Sequence, residues 1–189
     1  MKSALVCIDY INEIVSQEGK LAGKGYYEFV RTYDTLRRVA EAQSRFRSEG
    51  NLVAHVRLGF SSTYIEHSDR SLLLGKAREF GVLQLGKWGT EFPVEVAPAA
   101  SDVVLTKHRI SAFFGTSLDT ILRVQDVEQI YLAGVATDLA VQSAARDAHD
   151  RDYRVTVLAD CCAAANVADH ESSLAVLRKI GTVKSLSEL

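Results

Sequence analysis

The chain has 189 residues, 47% hydrophobic and 24% charged, with a net charge of −2, which suits one globular domain better than two. A chain of that length can bury roughly 70% of its unfolded surface without a disulfide or metal staple. The near-neutral balance gives no electrostatic reason to expect a nucleic acid or an anionic membrane as partner. Three cysteines, two of them adjacent, make no disulfide framework. No apolar run approaches the ~20 residues that span a bilayer. The opening MKSALVCIDY is too short in its apolar part for a signal peptide, so the expectation is a cytoplasmic protein.

In chain order, the first element is an apolar run at 4–8 that ends in Asp9. Phe29, Tyr33, Leu36, Val39, Ala40 and Phe46 then recur at three- and four-residue steps, which predicts a helix stopped by Gly50. Further apolar runs follow at 52–56, 103–105, 130–133 and 155–159. Runs without polar alternation fit strands buried on both faces of a parallel sheet. Helical patterns at 117–124, 138–150 and 170–180 separate the later runs, and Gly181 leads into a last strand near Val183. Strands alternating with helices predict an α/β fold, a three-layer α/β/α sandwich around a central, mostly parallel, Rossmann-like sheet. The stretch 59–98 fits neither period and carries both prolines and the only Trp. It is expected to be a lid or partner-contact excursion within a single domain spanning 1–189.

In open α/β sheets ligands sit beyond the carboxyl ends of the strands. That rule selects Asp9 after the first run, Lys107 after the third, and the corner at 134–138 after the fourth, which launches the helix carrying Ala140. An acid, a cation and a helix start are the types a catalytic site needs. Each has a plain reading too: Asp9 as a cap, Lys107 as a surface lysine. A buried Asp and Lys at neighbouring strand ends would each be costly without the other.

The segments ALVCIDYINEIV, KWGTEF, LTKHRISAFFGTSLDTILR and LAGVATDLAVQSAARDAHDRDYRVTVLADCCAAA resemble, in order and spacing, the isochorismatase-like (cysteine hydrolase) superfamily over nearly the whole chain. The resemblance implies a catalytic Asp and Lys at Asp9 and Lys107, and a nucleophilic Cys at the position held here by Ala140. It further implies a cis peptide at Val135–Ala136, with nearby backbone N–H groups forming an oxyanion site. Substrate contacts are expected from Asn12, Trp88, Arg109 and Phe113, and Phe114 also flanks the motifs. Tyr10 and Asn12 could orient Asp9 or cap the next segment, and Arg109 could instead pair with Glu91 or Asp119. Cys7 is expected in the core on the face shared with Asp9, and Cys161 and Cys162 as packing residues.

Three functional readings stay open. The first is a small-molecule hydrolase using Asp9 and Lys107 without a covalent nucleophile, as the isochorismatase branch does. The second is a C–N amidase whose thiol has been replaced by Ala140. The third is a silent relative that binds a metabolite. No cofactor or metal is expected: residues 55–69 place His55, Glu66, His67 and Asp69 together but do not match the metal cluster of some relatives. "GKLAGKGYY" lacks phosphate-loop spacing and reads as a solvated loop; DAHDRD at 147–152 reads as a solvated helix end. The expected partners are a small-molecule substrate and further copies of the chain, as a dimer or tetramer.

Overall fold

The structure is a computed structural model that describes residues 2–189. Six strands form one sheet: β1 (Lys2–Ile8), β2 (Leu52–Leu58), β3 (Val103–Lys107), β4 (Val127–Gly134), β5 (Arg154–Leu158) and β6 (Thr182–Lys184). Their order is β3-β2-β1-β4-β5-β6 and every pairing is parallel. This is the doubly wound arrangement, and the strand order reverses between β1 and β4. β1 is buried from Ala4 onward and β4 from Ile130 with only Tyr131 partly open, which is why their sequences show no alternation.

Side chains alternate between two apolar layers. Leu5, Cys7 and Val53 point toward α1 (Asn12–Val15), α2 (Tyr26–Thr32) and α3 (Thr35–Ser48). Val6, Ile8, Ala54 and Val56 point toward α5 (Leu118–Val124), α6 (Gln142–His149) and α7 (Val167–Leu177). Three layers result. The expected helix through 29–46 is two helices, because Asp34 takes a left-handed backbone (φ 54) between them. Asp can occupy that region at modest cost. α7 starts earlier than its apolar spacing suggests, since Asn166 caps it by accepting from the Asp169 N–H at 2.9 Å.

Between β2 and β3 the chain leaves the sheet through the short helix α4 (Ala77–Phe80) and two 3₁₀ turns. Buried polar groups on α1 hold this excursion down. Asn12 Nδ2 donates to the Trp88 carbonyl at 3.0 Å, and the Asn12 N–H donates to the Glu91 carbonyl at 2.9 Å. Glu13 accepts from the backbone N–H groups of Lys20 (3.0 Å) and Leu83 (3.3 Å). At the return, Asp102 accepts from Arg47 and Ala99 and pairs with the buried His55 at 3.0 Å. Among the described residues no helix is long and apolar enough to cross a membrane.

Candidate active site

β1 ends by turning out of the strand. Asp9 adopts φ 60 while its N–H still donates to Val56 O on β2 at 2.9 Å. Cys7 lies in the core against Gln43 of α3, whereas Asp9 lines a cavity at the carboxyl edge of the sheet. Two strands away, Lys107 closes β3 and reaches the same place. Its Nζ lies 2.7 Å from Asp9 Oδ2 and donates to the Ile110 carbonyl at 2.6 Å. The side chains are 1% and 4% exposed, for Lys107 and Asp9 respectively.

Asp9 Oδ1 is buried and has no hydrogen-bond partner. Burial raises the Asp9 carboxyl above its ordinary range, and the charge and hydrogen bond of Lys107 pull against that rise without cancelling it. Asp9 is thus an acid with one oxygen fixed to a cation and the other buried without a partner.

The third component is the corner after β4. Gly134 sits where β4 crosses closest to β1: a Cβ there would meet Ile8 Cβ at 2.9 Å and Val141 Cγ2 at 3.0 Å. The Val135–Ala136 peptide is cis. A single π-type turn, Thr137–Val141, leads into α6 in place of the α-helix start expected at Asp138. The N–H groups of Thr137, Leu139 and Val141 are taken up by Ala163 O (2.8 Å) and by Ala136 O (3.3 and 3.1 Å). The Ala136 N–H makes none of these bonds, and Ala136 is among the residues that line the cavity. Behind the corner, buried Thr137 is held on three sides. Its Oγ1 meets His170 Nδ1 at 2.9 Å, its carbonyl accepts from Ser173 Oγ at 3.0 Å, and its N–H bonds Ala163.

Asp9, Lys107, Val135, Ala136, Leu139 and Ala140 all line this one cavity, of about 90 Å³. Position 140 presents a methyl group to it. The three thiols lie elsewhere in the core, free and buried. Burial pushes Cys7 and Cys162 up to about 12, and Cys161 also upward, so none is a thiolate at neutral pH.

Four expected substrate contacts lie off the cavity. Asn12 spends its side chain on Trp88 O and Ser16, a tie between α1 and the excursion. Trp88 is 47% exposed on the outside of that excursion. Arg109 pairs with neither Glu91 nor Asp119; its guanidinium donates to the carbonyls of Glu66 (2.9 Å) and His108 (2.6 Å). Phe113 is buried in the α5–α6 layer against Tyr153, under the Arg151 guanidinium, while Phe114 is exposed. Tyr10 does not orient Asp9, because its buried hydroxyl donates to the Cys161 carbonyl.

The 55–69 residues are also dispersed. His55 pairs with Asp102, Glu66 accepts from Ser61, and His67 lies against Leu74 O (2.8 Å) and Asp69 (3.3 Å). Among the described residues no group of three or more His, Cys, Asp or Glu side chains is placed to hold a metal ion. The loop read as solvated, by contrast, puts Leu21, Lys24 and Tyr26 on the cavity wall, with Leu73 and Leu74 of the excursion opposite.

A sequence profile of the Isochorismatase domain matches residues 3–188. The ureidoacrylate amidohydrolase RutB of Serratia proteamaculans (strain 568) is 31% identical over 176 residues, covering 84% of this chain and 68% of that protein. Among solved structures, the N-carbamoylsarcosine amidase from Thermoplasma acidophilum is 33% identical with a TM-score of 0.76, covering 100% of this chain and 99% of that one. An isochorismatase family protein from Desulfovibrio vulgaris reaches a TM-score of 0.87 at 26% identity, over 98% and 95% of the two chains.

Proposed function

The chain belongs to the isochorismatase family of hydrolases, and on that premise we propose that Asp9 and Lys107 hydrolyse a small molecule directly, with no covalent intermediate at position 140. The observation that carries this reading is the 2.7 Å Asp9–Lys107 pair in a cavity whose nucleophile position is a methyl group. Burial favours the protonated carboxyl, and the unpartnered Oδ1 is the oxygen from which a proton can pass to substrate. Transfer leaves a carboxylate beside the Lys107 ammonium, which stabilises the charge as it appears. A water adds to the carbon made electrophilic by that protonation. The Ala136 N–H is available to meet an oxygen that gains charge. An enol ether suits this sequence best, since protonation is its difficult step.

The test is hydrolysis of a panel of small enol ethers and amides in H₂¹⁸O. Label in the product, an unmodified intact protein mass at single turnover, and insensitivity to iodoacetamide support direct hydrolysis. A covalent protein adduct refutes it.

A second reading is favoured by the relatives named as amidohydrolase and amidase: an amidase site whose thiol is replaced by Ala140. Ala140→Cys would then confer turnover of a small amide. Absence of all turnover in both forms would leave a metabolite-binding relative. Exposed Leu72, Phe80 and Phe114 support assembly with further copies, a state read directly by light scattering.

A further inference from the structure

We infer that Lys24 is the residue by which this cavity selects an anionic substrate, a short carboxylic acid whose carboxylate meets the ammonium. The inference rests on the cavity being the substrate site of the proposed hydrolase. Lys24 ends a 3₁₀ turn (Ala22–Lys24) on the cavity wall. The next residue fixes its place: Gly25 takes φ 105 against the chain at Ala165, where a Cβ would stand 2.0 Å from the carbonyl oxygen. Only glycine fits there, so the backbone beside Lys24 is held in place.

The charge balance of the cavity then decides what enters. Lys107 is matched by Asp9 and by the Ile110 carbonyl. Among the described residues no carboxylate lies within ion-pair distance of Lys24, and its ammonium donates no hydrogen bond. The rest of the wall is mostly apolar, with Leu21, Leu58, Leu73, Leu74, Leu139 and the ring of Tyr26. The cavity thus offers one unmatched positive charge, a mostly apolar wall, and one unpartnered carboxyl oxygen. A ligand complementary to all three has an anion at one end, a short apolar link, and the group to be protonated at the other. A volume of about 90 Å³ suits a short acid.

Butyrate and butyramide, equal in shape and different in charge, test this without knowledge of the substrate. Their binding is followed by amide chemical shifts of Ala136 and Leu139 in the full chain. Butyrate is expected to bind up to about fivefold tighter than butyramide, the scale of one exposed ion pair. Lys24→Met should remove the difference while leaving butyramide unchanged, Lys24→Arg should retain it, and 0.5 M NaCl should shrink it. Equal binding of the two probes by the native chain overturns the inference. So does selectivity that survives Lys24→Met and vanishes in Lys107→Met, which would put the anion at Lys107. A chain that shows the Lys24-dependent preference yet hydrolyses nothing sinks the hydrolase reading and leaves this one standing. A hydrolase indifferent to Lys24→Met does the reverse.

Discussion

Lys107→Met isolates what the buried pair costs and what holds it. Methionine fills the same narrow path with similar volume, so the main loss is the charge and its bonds to Asp9 and Ile110. Asp9 keeps its burial and the backbone hydrogen bond from Leu58, and loses the charge and hydrogen bond of Lys107, the two larger influences that lower its pKa. A carboxyl whose folded pKa is raised holds its proton longer in the native state than in the unfolded chain. Its contribution to stability is therefore greatest below the unfolded value of 3.8 and falls as pH rises toward the folded value. Without Lys107 the rise is larger, so the variant costs more at pH 7.5 than at pH 4.5, approaching at the higher pH the roughly 3–5 kcal/mol typical of breaking one partner out of a buried pair. Urea unfolding of the native chain and of Lys107→Met at the two pH values measures it. A destabilisation of the same size at both would refute the reasoning, because it would mean that the loss is one of packing and not of charge. The double variant Asp9→Asn/Lys107→Met should recover most of the loss at pH 7.5.

Asp9→Asn alone should lower kcat by about 10²–10⁴-fold, the usual worth of a positioned general acid, and should abolish the fall in rate as pH rises through the Asp9 pKa; a rate and pH profile like those of the native chain would remove Asp9 from the mechanism. Ala140→Cys should give a thiol that iodoacetamide labels at neutral pH faster than Cys7, Cys161 or Cys162, read by peptide mass spectrometry, since those three are buried and protonated; equal labelling would mean a closed or differently built corner. His170→Phe removes the partner of Thr137 Oγ1, and a buried hydroxyl left unpaired costs about 1–3 kcal/mol; thermal unfolding reads that loss, and kcat should fall with KM little changed if the corner shifts.

The parts of the site that were legible in the sequence are those the sheet dictates. A strand buried on both faces is an unbroken apolar run, so its end is marked by the first charged residue, and Asp9 stands at such an end; Lys107 ends the edge strand β3, whose short apolar run is only partly buried, with Val104 exposed. What brings them together is strand order, which no periodicity reveals: β1 and β3 are separated by β2, and the two side chains bridge its carboxyl end. The excursion was legible as a stretch that fits neither period, but the way it is held down was not. Its anchors are single bonds from Asn12 and Glu13 to backbone groups some 70 positions away, and such bonds leave no repeating pattern. Trp88 and Phe113 carry the composition of pocket walls, but their placement depends on those anchors. Lys24 was hidden for a different reason. "GKLAGKGYY" looks like any solvated loop until Gly25 is seen pressed against Ala165, a contact that turns a surface lysine into a cavity residue.

An empty nucleophile position at an intact corner follows from how the work is divided there. The corner supplies a cavity wall and a free amide at Ala136, and both belong to the backbone. Gly134 and the bonds around Thr137 hold that backbone whatever side chain stands at 140. Asp9 and Lys107 come from β1 and β3 and depend on residue 140 no more than the corner does. A thiol adds a covalent step to this arrangement without being needed to build it. On the proposed reading, the methyl leaves Asp9, with its raised pKa, to act as a proton donor and not as the base a thiol would require. The corner and the acid–cation pair are therefore separable parts of one site, and the chain keeps both where the strand order reverses beside β1.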